Sequence, residues 1–343
     1  MAVVDTAVVA ERILASVMRY QRSTGDGDCG GRGMCPACAG AHLPNVVGRV
    51  RLGLPVELAL PGFPAKSPNR AKVLGAAPDL AERLSLRFLQ RLCEEIAGFY
   101  EPGAEIVICS DGRVFGDFIG VTDEDIGLYQ DGIRQLIADL GADCLRLFNL
   151  DDEYRDVPHE TMRRRLIERY GEPLDRLREE VRAGGEPQRL YLGVTRFLVE
   201  DADTPEYTGS RAALQRECRE RAYGVFQRSK AWGGLVADRF PEAVRLSIHP
   251  QNCGSPKLGI HLLETADGWL TPWHGVAVEI AGRYVLMKRH QAEAIGARLV
   301  LTPGGEPSHF VAPDDAVPPP SLGAGPRVSG GGSETTTSGG AAS

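Results

Sequence analysis

Positive charge is in short supply in this chain: over 343 residues, 39 lysines and arginines face 46 aspartates and glutamates, a formal charge of −7. Phosphate backbones are bound by clustered cations, so a general nucleic-acid binder is excluded. The one basic triplet, Arg163-Arg164-Arg165, reads as a solvated helix face. Also missing is any apolar run near the roughly 20 residues that span a bilayer. The opening MAVVDTAVVAERILA carries acids and lacks a basic segment ahead of a continuous apolar stretch. No secretory signal is therefore expected, and the location expected is the cytoplasm, with no membrane partner. The glycines of a Walker loop are lacking around Lys66, so ATPase chemistry has no support, and no G-x-S-x-G elbow points to a serine nucleophile. Internal repeats are absent. Eight cysteines without an export signal read as reduced thiols or metal ligands.

What is there is an ordinary soluble composition, 43% apolar and 25% charged, long enough for one large or two modest domains. Val9, Ile13, Val17 and Tyr20 recur at helical spacing, and a glycine- and cysteine-rich loop follows from Thr24 to Gly40. Val56 to Leu60 reads as a strand. The clearest helix begins after Asp79, a good N-cap with Glu82 as its capping-box partner, and presents Leu84, Phe88, Leu92 and Ile96 on one face. A strand at 105–110, a helix capped by Thr122 and Asp125, and a strand from Cys144 to Leu150 come next. Strand, helix, strand, helix, strand predicts an α/β fold, a mostly parallel Rossmann-like sheet with covering helices. The charged stretch 158–240 predicts a helical insertion. Strand-like runs at Val244–His249, Leu258–Leu263, Val276–Ile280 and Tyr284–Met287 either complete that sheet or make a second one. From about Pro313 the chain is poor in large apolar residues and is expected to be a disordered tail. The expected organisation is an N-terminal helix and Cys-rich loop over 1–42, a catalytic α/β domain over 43–312, and the tail over 313–343.

The most informative stretch is EIVICSDGRVFGDFIGV, residues 105–121. Its apolar run suits a strand buried on both faces, and Ser110-Asp111-Gly112-Arg113 then falls at the carboxyl end, where open α/β sheets place ligands. Asp111 and Arg113 there are either a site or an internal ion pair. Lys66 and Ser67, in a proline-flanked turn after a strand, form a candidate phosphate contact or a plain surface turn. Arg245, Ser247 and His249 alternate with Leu246 and Ile248, so they share one strand face and either line a cavity or meet water. Trp273 and His274 flank a proline turn as pocket or core. Cys29, Cys35, Cys38 and His42 give C-x5-C-x2-C-x3-H, a tetrahedral set suited to structural zinc. The alternative is reduced thiols in a loose loop.

Four segments in order, LPGFPAKSPNRAKVLGAAPDLAE, IVICSDGRVFGDFIGVTDED, FPEAVRLSIHPQ and LTPWHGVAVE, resemble the isonitrile (isocyanide) synthase family related to pyoverdine and dityrosine biosynthesis proteins. The resemblance covers roughly residues 43–290. It implies conversion of the α-amine of tyrosine or tryptophan to an isonitrile, with the ketone carbon of ribulose 5-phosphate as carbon donor and no redox cofactor or ATP. It also implies a pathway partner, an iron- and 2-oxoglutarate-dependent oxygenase. Under it, Lys66, Ser67 and Arg113 become phosphate contacts, Ser110 a further substrate-binding residue and Arg245 a partner for the amino acid's carboxylate. Asp111, His249 and His274 become acid/base groups. Lys257 or Lys230 would anchor phosphate or assist dehydration, and Phe115 and Trp273 would form the aromatic pocket. The rivals are another sugar-phosphate lyase or amine-condensing enzyme, and a zinc-containing interaction module without catalysis.

Overall fold

Short runs that are apolar at almost every position, around Leu58 and Ile106, pair side by side as strands covered on both faces, as such runs should. The computed structural model describes residues 5–24 and 34–317. Among them the order is α1 (Thr6–Met18), α2 (Pro36–Arg51), β1 (Val56–Pro61), α3 (Leu80–Ala97), β2 (Ala104–Cys109), α4 (Gly112–Ile119) and α5 (Asp123–Asp139). Then follow β3 (Leu145–Phe148), α6 (Leu150–Glu153), α7 (His159–Tyr170), α8 (Leu174–Ala183), α9 (Gly185–Ala202) and α10 (Arg211–Arg239). The remainder is β4 (Val244–Ser247), β5 (Leu258–Gly259), β6 (Val276–Ile280), β7 (Arg283–Met287), α11 (Arg289–Ala294), β8 (Arg298–Leu301) and β9 (Pro307–Val311).

The main sheet has the order β3-β2-β1-β4-β5, with every pairing parallel. Alternation along the strands sends Leu58, Leu60, Ile106 and Ile108 to one face, against Ile13, Val46, Leu89 and Tyr129 of the helices there. Ala59, Val107 and Cys109 go to the other face, against Met162 and Leu166 of α7 and Trp232 and Leu235 of α10. The strand order reverses between β1 and β4. In open parallel sheets that reversal opens a crevice beyond the carboxyl ends of the strands, which is where ligands bind. A second, mixed sheet, β7-β6-β9-β8, stands beside the first. The late strand runs thus serve both expected purposes: β4 and β5 extend the parallel sheet, while β6 and β7 belong to the second.

Local signals place the helices that frame the crevice. Asp79 accepts from the Ala81 N–H and Glu82 accepts from the Asp79 N–H, each at 2.9 Å, so the capping box of α3 is formed. Thr122 caps α5 through the Asp125 N–H at 3.1 Å.

Several expectations shift. The Cys-rich loop ends at Cys35, and α2 runs straight through residue 42, because proline at the first helical turn starts a helix readily. The polar quartet after β2 opens α4 rather than a long turn. β4 stops at Ser247, short of His249, and β5 is only two residues long. Arg163 is not simply solvated: it donates to both carboxylate oxygens of Asp123 at 3.1 Å. The tail expected from Pro313 lies, from residue 318, outside the described residues.

Candidate active site

The turn from β2 into α4 can only be made with glycine at position 112, because a Cβ there would lie 2.1 Å from the Pro64 carbonyl oxygen. Two strand ends are thereby pressed together. Ser110 donates from Oγ to the Phe63 carbonyl at 2.8 Å, and Phe63 holds a φ of 54°, a strained value for a bulky residue. Ser110 is fully buried and braces this junction, so it is spent on the fold and not left for a ligand.

A cavity of about 140 Å³ opens above the junction, at the reversal of strand order. Its walls are mainly apolar and aromatic: Phe115 from α4, Phe197 from α9, and Trp269 and Trp273 from the stretch after β5. Asp111, His249 and His274 enter it from three separate segments. Asp111 sits at the N-cap of α4 without making a side-chain cap bond, and burial pushes its carboxyl up to about 7, opposed in part by a backbone hydrogen bond. His249 has a buried Nδ1 without a hydrogen-bond partner. Burial, with Arg22 and Lys257 adding repulsion, lowers this imidazole to about 3. His274 is also held well below its usual value, chiefly by burial and then by Lys72 and His249. Its Nδ1 is 2.8 Å from Thr271 Oγ1 and its ring stacks on Phe197 at 5.0 Å. Asp201 lies 3.8 Å from His274 Nε2, but its charge is already met by Lys72 and by the Ser67 hydroxyl at 2.7 Å. The cavity therefore presents two neutral imidazoles and one carboxyl able to change charge near neutral pH.

Several candidate cations are committed elsewhere. Lys66 is fully buried, with Nζ 2.8 Å from both Asp79 and Glu82, and donates to the Pro272 carbonyl at 3.2 Å. Burial alone would lower its pKa, but the two carboxylates outweigh it and raise it. The lysine clamps the β1 loop to the start of α3 and to the turn before Trp273. Arg113 donates to the Asp123 carbonyl and lies 3.3 Å from Asp151, so it is ion-paired, but with these acids of other segments and not with Asp111. Ser67 turns into the cavity wall toward Asp201.

Arg245 does not share a cavity with His249. The strand has ended before His249, so period-two alternation no longer relates the two, and Ser247 is buried, accepting from the His249 N–H at 3.1 Å. Arg245, Lys257 and Lys230 line a second cavity of about 470 Å³. Lys230 is paired there with Glu172 at 2.6 Å and Glu180 at 3.0 Å. Arg245 donates only to the Gly233 carbonyl at 3.2 Å, and its buried Nε has no partner. Lys257 is held below its usual pKa by burial first and by Arg245 second. Arg245 and Lys257 thus face each other in this recess, with Glu186 on its wall partly offsetting the repulsion on Lys257.

Near the N-terminus, the sulfurs of Cys35 and Cys38 meet that of Cys253, all within 4.8 Å of one another. His42 is buried one turn further along α2 and is not in that group, while Cys29 lies outside the described residues. Reading the sequence also missed Arg22, whose guanidinium donates to the carbonyls of Ile248 at 2.5 Å and Leu270 at 3.2 Å. It thereby fixes the segments carrying His249 and Trp273. Lys72, Asp201 and Phe197 were missed as well. None carries a local signal, since each acts through partners distant in sequence.

Against known proteins, residues 46–300 match the model of the pyoverdine/dityrosine biosynthesis protein family. An L-tyrosine isonitrile synthase of Pseudomonas aeruginosa is 53% identical over 79% of this chain and 84% of its own length. An L-tryptophan isonitrile synthase of Fischerella ambigua is 43% identical over 90% of this chain and 93% of its own. The crystal structure of the PvcA protein from Pseudomonas aeruginosa superposes with a TM-score of 0.82 at 47% identity, covering 88% of this chain and 99% of that one.

Proposed function

The chain belongs to the pyoverdine/dityrosine biosynthesis family, and from that premise we propose that it is an isonitrile synthase acting on the α-amine of L-tyrosine or L-tryptophan, with ribulose 5-phosphate as the carbon donor. Relatives named for each of the two amino acids support the reaction class. The observation that carries the reading here is the aromatic cavity at the sheet's reversal point, into which Asp111, His249 and His274 converge.

The chemistry follows from those groups. A substrate ammonium must lose a proton before its nitrogen can attack a ketone. Neutral His249, with its buried acceptor unfilled, provides a place for that ammonium to dock. Asp111, titrating near neutrality, takes the proton in its ionised form and returns it to the departing oxygen. Attack by nitrogen on the ketone carbon gives a carbinolamine, and protonation of its hydroxyl releases water and leaves the protonated imine. His274, held by Thr271 and Phe197, orients the hydroxyl groups of the sugar for the later C–C cleavages. Phe115, Trp269 and Trp273 take the aromatic side chain and exclude water. Arg245 and Lys257 supply the cationic recess for the sugar's dianionic phosphate. The isonitrile product retains its carboxylate, and an iron- and 2-oxoglutarate-dependent oxygenase is the partner that would remove it.

The test is direct. Purified protein is incubated with ribulose 5-phosphate and either tyrosine or tryptophan, and the product is trapped with a tetrazine and read by mass spectrometry. An adduct with one amino acid establishes the reaction and its substrate. No adduct with either, from folded protein, moves the assignment to another sugar-phosphate lyase.

A further inference from the structure

The cysteine cluster stands apart from both cavities and has no part in the reaction above. Cys35 is the N-cap of α2 and Cys38 lies in its first turn, a C-x2-C pair presented by a helix start. Cys253 comes from the loop between β4 and β5, more than 200 residues further along the chain. The Cys253 sulfur is 2.9 Å from that of Cys35 and 3.6 Å from that of Cys38. Backbone N–H groups point at two of these sulfurs: that of Cys38 donates to Cys35 Sγ at 3.4 Å, and that of Gly254 to Cys38 Sγ at 3.3 Å. Such bonds stabilise thiolates, as the outer partners of metal-bound cysteines do. Gly254 has a φ of +73°, and this turn brings its N–H onto the sulfur.

We propose that Cys35, Cys38 and Cys253 bind a structural zinc ion that staples the start of α2 to the β4–β5 loop. Three soft thiolates in a preformed cluster, with amide donors around them, supply three of the four ligands that tetrahedral zinc takes. The ligand set differs from the one its sequence spacing suggests, because Cys253 replaces His42. Its consequence is mechanical. The β4–β5 loop carries His249 at one end and Lys257 at the other, one in each cavity. The same loop is already tied to the N-terminal segment by backbone bonds, Arg22 N–H to Gly259 at 2.8 Å and Gln251 N–H to Arg22 at 3.0 Å. Zinc adds a second anchor that keeps the two cavities in register.

The experiment uses the full chain, purified without chelator from zinc-supplied cells, with metal measured by plasma mass spectrometry. About one zinc per chain is expected. Cys253→Ser should lower the content about tenfold or more, whereas His42→Ala should leave it unchanged. Cobalt exchanged into the wild-type chain should show thiolate-to-cobalt charge-transfer absorption. Cys253→His, which keeps a ligand and guards against a variant that fails to fold, should bind cobalt with weaker absorption of this kind. The proposal is overturned if folded wild-type protein holds no zinc and no cobalt. It is equally overturned if non-reducing mass analysis finds these cysteines as a disulfide, or if His42→Ala loses the metal while Cys253→Ser keeps it.

Discussion

The two cavities on either side of β4 treat charge in opposite ways. The one holding Asp111, His249 and His274 suppresses it at those three groups: burial pushes the carboxyl up and both imidazoles down, so each moves toward its neutral form. The one holding Arg245 and Lys257 gathers charge instead: these two cations and Lys230 share it with Glu172, Glu180 and Glu186, and Lys230 takes up two of those carboxylates. Neutral groups in an apolar chamber suit proton transfer and the docking of an aromatic side chain, while cations in a recess suit a phosphate. A substrate pair of which one member is aromatic and the other phosphorylated would use both.

The largest effect expected on the first cavity is from Asp111→Asn. It keeps the shape and removes the titrating group, so turnover should fall about 10²–10⁴-fold with little change in amino acid binding, read by steady-state kinetics and calorimetry. The pH dependence has a definite sign. A folded pKa near 7, above the ordinary carboxyl value of 3.8, means the folded state holds this proton more tightly. The stability so contributed is present below that ordinary value and is lost as pH rises through about 7. Melting of wild type and Asp111→Asn should therefore converge at low pH and separate above neutrality, with the variant the more stable there.

Lys66→Met tests whether the wall lysine belongs with the cations that bind. It leaves Asp79 and Glu82 buried without their partner, so a stability loss of about 3–5 kcal/mol is expected from denaturant unfolding. If it instead raised only the KM for the sugar phosphate, Lys66 would belong with Arg245 and Lys257, and the contrast between the two cavities would break. Arg245→Ala and Lys257→Ala should each raise the KM for ribulose 5-phosphate about 10–100-fold, the range for one lost charge-assisted contact, while the KM for the amino acid moves about twofold at most. Equal changes in both would mean that the phosphate and the amino acid share these cations. Smallest of all, Trp273→Phe should shift the ratio of kcat/KM between tyrosine and tryptophan by a few-fold, about 10-fold at most, because it trims one wall without touching a polar group.

Much of the framework was legible because it rests on contacts within a few residues. The capping box at Asp79 and Glu82, the Thr122 cap and the apolar run of β2 are of this kind, and all three elements form where their residues indicate. The position of Asp111 at the carboxyl end of β2, where it lines the first cavity, was legible for the same reason, since it directly follows a buried strand. The helix α2 was hidden because glycine and cysteine in its first turns carry no helical pattern. Arg245 and His249 were wrongly placed on one face because strand alternation was carried past the point where the strand ends.

The sequence by itself determined a parallel α/β sheet, the approximate position of the candidate site at the end of β2, and the family to which the motifs belong. Which cations remain available was decided only by tertiary structure. Lys66 and Arg113 looked like phosphate ligands until the fold set Asp79, Glu82, Asp123 and Asp151 against them. Likewise, only the fold brings Cys253 to the C-x2-C pair and leaves His42 aside. The physical reason is the same in each case. Periodicity and capping are local and can be read along the chain, whereas a charge or a thiolate is defined by whatever the folded chain places within a few ångströms of it.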